Sequence, residues 1–182
     1  MFRSIAILFL ALSVSRASAW PPDEVPFVPT PMEVVDRMLE MAQVKKGDVV
    51  YDLGSGDGRI VIRAAKKYGA RGVGIELDSW LVEAARSKAK EEGVEDWVEF
   101  RLEDASQTDI SGATVVTIYM LPWFNDMMRP KLQSQLKPGS RIVTHDYDIE
   151  GWPPIRVEKQ PEVEQRTAGY THQHVLYLWR IE

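Results

Sequence analysis

Short apolar runs along this chain alternate with segments whose apolar residues recur at helical spacing, and glycines or prolines sit at most of the changes of period. Val49, Val50, Tyr51 and Leu53 form an apolar run bounded by Gly47-Asp48 and interrupted by Asp52, the pattern of a buried strand. Gly54, Gly56 and Gly58 follow at alternate positions. Then Ile60, Val61, Ala64, Ala65 and Tyr68 recur at helical spacing. Strand, glycine turn and helix start thus follow one another directly. Glycine admits positive φ and leaves room for a ligand against the backbone, while the helix start presents unpaired N–H groups and a positive dipole end.

The alternation continues downstream. Strands are predicted over 71–77, 97–102, 113–119 and 141–147, and helices over 79–92 and 123–136. The first of those helices turns Leu81, Ala85 and Ala89 inward and stops at Gly93; Lys137-Pro138-Gly139 ends the second. Two closing strands, 155–159 and 174–181, have no helical pattern between them and predict an antiparallel edge hairpin. The whole predicts an α/β fold with a doubly wound, mostly parallel sheet of about seven strands. Upstream, a helix is expected over 31–42, with Thr30 as its N-cap, Pro31 at its first position and Val34, Val35, Met38, Leu39 and Ala42 on one face. The proline-rich stretch before it should be extended, with 26–30 either a packed arm or a lid.

Residues 1–19 have a different character. Arg3 precedes an apolar stretch of signal-peptide length, and Ala17-Ser18-Ala19 matches a small-residue cleavage site before Trp20. The expectation is export, periplasmic or secreted, with a membrane tether or an organellar presequence as alternatives; residues 20–182 then form a single domain. Composition narrows the chemistry. At 182 residues and 45% hydrophobic content the chain builds a full core. A net charge of −5 disfavours nucleic acid as a partner. No cysteine is present, which removes thiol nucleophiles and thiolate metal sites. Histidines occur only at 145, 172 and 174, and His172 and His174 read as a solvated strand face. A metal would need ligands that the sequence does not identify, so none is expected.

Glu76 ends the second predicted strand, about 20 residues past the glycines, where a βαβ unit places an acid on ribose hydroxyls. The dinucleotide pattern GxGxxG would need glycine at 59, where Arg59 stands, which argues against a nicotinamide-dependent oxidoreductase. Asp52, Glu76, Asp104, Tyr119 and His145-Asp146 all close predicted strands, so this fold should gather them on one rim.

The run Asp52-Leu53-Gly54-Ser55-Gly56-Asp57-Gly58 resembles the first motif of class I S-adenosylmethionine-dependent methyltransferases, whose fold is Rossmann-like. Glu76 resembles the ribose-binding acid of their second motif, and Leu102-Glu103-Asp104-Ala105 their third. The resemblance implies S-adenosyl-L-methionine as cofactor, held by Asp52, Gly54, Ser55, Gly56, Asp57, Gly58, Glu76, Leu77, Asp104 and Ala105. Residues 119–125, Tyr119-Met120-Leu121-Pro122-Trp123-Phe124-Asn125, resemble the substrate-side loop of amino methyltransferases but depart from their acid/Asn-Pro-Pro-aromatic form. Tyr119 and Asn125 are the expected catalytic pair, and Phe27, Thr30, Pro122 and Trp123 the expected substrate wall.

Residues 26–30, 51–61, 74–77 and 80–82 are similar to the protein-lysine methyltransferases related to the mitochondrial ATP-synthase c-subunit lysine methyltransferase, which are organellar and membrane-associated. The resemblance implies a protein lysine, or else a small amine, as acceptor, and membrane association through the N-terminus. Small-molecule N- or O-methylation is the alternative. Methyl transfer from a sulfonium releases a neutral thioether, so the expected task of the residues is alignment rather than acid catalysis.

Overall fold

The computed structural model describes the backbone of residues 25–165 and 170–182, and the side chains of 25–161 and 173–182. The expected signal or anchor, 1–19, lies outside the described residues. Among the described residues, no helix is long and apolar enough to cross a membrane.

Seven strands form one sheet in the order β3-β2-β1-β4-β5-β7-β6. β1 (Val49–Leu53), β2 (Arg71–Glu76), β3 (Val98–Leu102), β4 (Val115–Ile118) and β5 (Arg141–His145) run parallel. β6 (Arg156–Gln165) and β7 (Tyr170–Arg180) close the sheet antiparallel. α1 (Met32–Met41), α2 (Arg59–Tyr68), α3 (Ser79–Glu91) and α4 (Pro122–Gln135) complete the layers.

The period of two in the strands explains the two cores. Val50, Val115, Val143, Leu176 and Leu178 face α1, α2 and α3, whereas Tyr51, Leu53, Val116, Ile118, Ile142 and Trp179 face α4. Central strands buried on both faces read as continuous apolar runs, which makes them visible in the sequence. The sequence order reverses between β1 and β4, and that switch point opens the crevice where such sheets take ligands.

Three local expectations change. Thr30 does not cap α1: Pro31 takes the N-cap position without a side-chain bond. The Thr30 hydroxyl turns inward to His145 Nδ1, 3.3 Å away. His174, expected on a solvated face, is fully buried. The cause is strand order, since β7 inserts between β5 and β6 and only β6 is an edge on that side.

Candidate active site

The glycine turn is built by backbone bonds. The N–H groups of Gly54 and Ser55 both donate to Ile75 O at the end of β2 (3.0 and 2.9 Å), tying the turn to the neighbouring strand. Gly56 has a φ of +52°, in the left-handed region that disfavours side chains. A Cβ there would lie 2.3 Å from the Phe27 ring. Glu76 braces the turn from below. One carboxylate oxygen accepts from Gly56 N (2.8 Å), the other from Leu77 N and Asp78 N (2.8 and 3.0 Å).

Arg59, the residue that breaks the dinucleotide pattern, has a task of its own. Its guanidinium forks onto the Asp57 carboxylate (2.8 Å for each of two bonds) and donates a third bond to Thr30 O at 2.8 Å. Lys88 also reaches Asp57, at 2.9 Å. Burial opposes ionisation of Asp57, but the two cations outweigh it and hold its pKa at about 2. Through Arg59 the base of the 26–30 arm is fastened to the glycine turn. The non-glycine at this position is visible in the sequence; its partner is not.

These elements surround a cavity of about 380 Å³. Asp52, Gly54, Ser55, Gly56, Asp57, Glu76, Leu77, Asp104 and Ala105 line it, with Phe27, Thr30, Tyr119 and Trp123. Gly58, Pro122 and Asn125 do not. Gly58 sits behind the turn, where a Cβ would meet Phe100 and Ala85, so its smallness serves packing. Pro122 opens α4 and is exposed. Asn125, expected at the acceptor, is fully buried and donates to Tyr147 O and Asp148 O (3.0 and 3.2 Å), pinning the loop after β5. That loop contributes Tyr147 to the cavity, and Met127 joins Met120 of the 119–125 loop as further apolar wall; nothing in the sequence singles out Tyr147 or Met127.

The cavity has two chemical halves. Asp52, Glu76 and Asp104 belong to β1, β2 and the turn after β3; Tyr119, Trp123, Phe124 and Tyr147 belong to the β4 and β5 side. Among the described residues, the cation on the lining is Arg59, which is paired with Asp57. Trp123 and Phe124 meet edge to face at 5.8 Å, and Tyr119 lies on the His145 ring at 3.8 Å.

Asp52 is buried and accepts a bond from Thr117 Oγ1 at 2.7 Å. Burial, then the charges of Glu76 and Asp57, push its pKa up to about 7. An acid raised in this way folds best protonated. Its contribution to stability is complete below the ordinary carboxylate value of 3.8 and is lost as pH rises through about 7. In donor-free protein, the stability of Asp52→Asn relative to wild type should therefore rise as pH goes from about 4 to about 8, by a few kcal/mol at the upper end. Melting curves across that range check it; parallel curves for the two proteins would contradict it.

A family model described as the ANTKMT methyltransferase domain matches residues 52–156. The chain belongs to this methyltransferase family. A protein-lysine N-methyltransferase of Saccharolobus islandicus is 43% identical over 158 residues, 86% of this chain and 94% of that one. The human ATP-synthase c-subunit lysine N-methyltransferase is 36% identical over 132 residues, 72% of this chain but 56% of that longer protein. A crystal structure from Salinibacter ruber, described as an RNA methyltransferase in complex with S-adenosyl-L-homocysteine, superposes with a TM-score of 0.77 at 54% identity, covering 85% of this chain and 94% of that one.

The enzyme is thus an S-adenosylmethionine-dependent methyltransferase, and its residues fit that cofactor. The turn has no room for a Cβ at Gly56, the hydroxyl of Ser55 on the cavity wall is buried without a hydrogen bond among the described residues, and the acids suit a cationic molecule bearing hydroxyl and amino groups.

Proposed function

We propose that this methyltransferase acts on the ε-amine of a protein lysine. The observation that carries the reading is the division of the cavity, with acids gathered on the β1–β3 side and aromatic rings on the β4–β5 side. S-adenosylmethionine supplies an electrophilic methyl group on a sulfonium. On the acidic half Asp52, Glu76 and Asp104 would hold its amino and hydroxyl groups. On the other half Tyr119, Trp123, Phe124 and Tyr147 strip water from the acceptor. A lysine must be neutral to attack, and its ordinary pKa is about 10.4. An apolar aromatic wall disfavours the ammonium and lowers that value, while the rings still tolerate a methylated cation. Tyr119 aligns the amine through its hydroxyl or carbonyl, so the residues contribute positioning and water exclusion.

The names of the relatives divide between protein lysine and RNA. The charge supports lysine. A polyphosphate would approach a chain of net charge −5 and enter a cavity whose lining includes Asp57, Glu76, Asp78, Glu103 and Asp104, with Arg59 already paired. The test is transfer of labelled methyl into a lysate, split between protease and ribonuclease digestion. Label released by protease alone supports the reading; label released by ribonuclease overturns it, and label in small molecules replaces the protein acceptor.

Within this reading Tyr119→Phe and Trp123→Ala should lower turnover about tenfold or more while donor affinity stays within about twofold, because lost alignment falls on the transition state. Initial rates compared with donor calorimetry check this. Wild-type turnover in both variants would remove the loop from the acceptor site.

A further inference from the structure

Next to the cavity, but outside its lining, the end of β5 and the interior of β7 bring together His145, Asp146 and His174. Both imidazoles are fully buried and the Asp146 side chain is 8% exposed. Three donor atoms converge there. His145 Nε2 and His174 Nδ1 are 2.7 Å apart, and Asp146 Oδ2 lies 3.4 Å from the first and 3.5 Å from the second. We propose that these three atoms bind one divalent transition-metal ion, with Zn²⁺ the best match, and that the ion joins β5, β7 and the base of the 26–30 arm.

The donor set suits this ion: two imidazoles and one carboxylate, with no thiolate in the chain. Metal–ligand bonds of about 2.0–2.1 Å put tetrahedral ligands about 3.3 Å apart. The two carboxylate distances already lie close to that value, and the ring nitrogens need to part by about 0.6 Å. Two of the ligands have their outer atoms held in the orientation a ligand requires. His145 Nδ1 faces the Thr30 hydroxyl at 3.3 Å, and the other Asp146 oxygen accepts from Val175 N at 3.0 Å. Such outer partners fix ring orientation and aim the ligating atoms inward. Asp146 takes φ +63°, a costly conformation for a residue other than glycine, and Asp146 N is secured by Val175 O at 2.7 Å. The Tyr119 ring lies against the His145 ring, 3.8 Å between centroids, and the three donor atoms fill three of the four tetrahedral positions. A metal-free pair of rings sharing one proton would explain the 2.7 Å contact. It would not explain why the carboxylate approaches both nitrogens equally at a distance too long for a strong hydrogen bond.

The test uses the full chain, freed of metal with a chelator and titrated with Zn²⁺ by calorimetry and with Co²⁺ by visible absorption. The expected result is one equivalent bound with submicromolar Kd, intense Co²⁺ ligand-field bands, and a melting temperature several degrees higher with Zn²⁺. His174→Gln should weaken binding at least tenfold, and His172→Gln should leave it unchanged. Substoichiometric binding, absent Co²⁺ bands, or loss of binding with His172→Gln would overturn the site. If His174→Gln does not fold, the stoichiometry and Co²⁺ spectrum of the wild-type chain decide alone.

Discussion

Gly56→Val should reduce donor affinity more than about 100-fold while lowering the melting temperature by only a few degrees. The asymmetry comes from where the new side chain goes. A Cβ at this position falls 2.3 Å from the Phe27 ring, on the cavity lining rather than in the core. The left-handed φ of +52° adds about 1–2 kcal/mol of backbone strain, worth roughly 2–4 °C per kcal/mol in a chain of this size. The valine also displaces the arm from the turn, so both walls of the donor half move. Calorimetry with the donor and a thermal melt without it give the two numbers. Affinity near wild type, or collapse of the donor-free fold, would show that the glycine serves the fold and not the ligand. Gly58→Ala makes the contrast, because its Cβ would press on Phe100 and Ala85 behind the turn and cost stability first.

Glu76→Ala should weaken the donor by a few kcal/mol, since hydrogen bonds to a charged group contribute roughly 1.5–3 kcal/mol each. The three backbone N–H groups on this carboxylate enlarge the expected effect. Removing it frees the Gly56 amide and loosens the turn as well as deleting an acceptor. Glu76→Gln separates the two roles, because the amide oxygen still accepts one set of backbone bonds while the charge is gone. The expected order of donor affinity is wild type, Gln, then Ala, with the Ala variant alone losing several degrees of stability. Equal affinity in all three would remove Glu76 from the donor site.

The donor half of the cavity is legible in the sequence because its determinants are local. Alternate glycines impose a turn, an apolar run imposes a strand, and an acid at a strand end reaches the rim whatever the rest of the chain does. The acceptor half depends on which elements meet. Asn125 follows a strand at the right distance for catalysis, yet the loop after β5 claims its amide. Thr30 stands in an N-cap position, yet His145 lies within its reach and helix α1 starts without it. His174 shares a strand face with Leu176 and Leu178, and it is buried because β7 lies between β5 and β6. Local pattern does not reveal that β6, and not β7, takes the edge of the closing hairpin. Arg59 shows the reverse case. The residue that excludes a dinucleotide site is the one that fastens the arm to the turn.

If the acid-lined half binds the methyl donor and the aromatic half presents a protein lysine to it, the product itself must carry the proof. The decisive measurement incubates the purified chain with labelled S-adenosylmethionine and a host protein fraction, then hydrolyses the labelled product to amino acids. Label is expected in ε-N-methylated lysine, lost in Gly56→Val and much reduced in Trp123→Ala. Label in methyl esters, in methylated nucleosides, or in no macromolecule at all would contradict it.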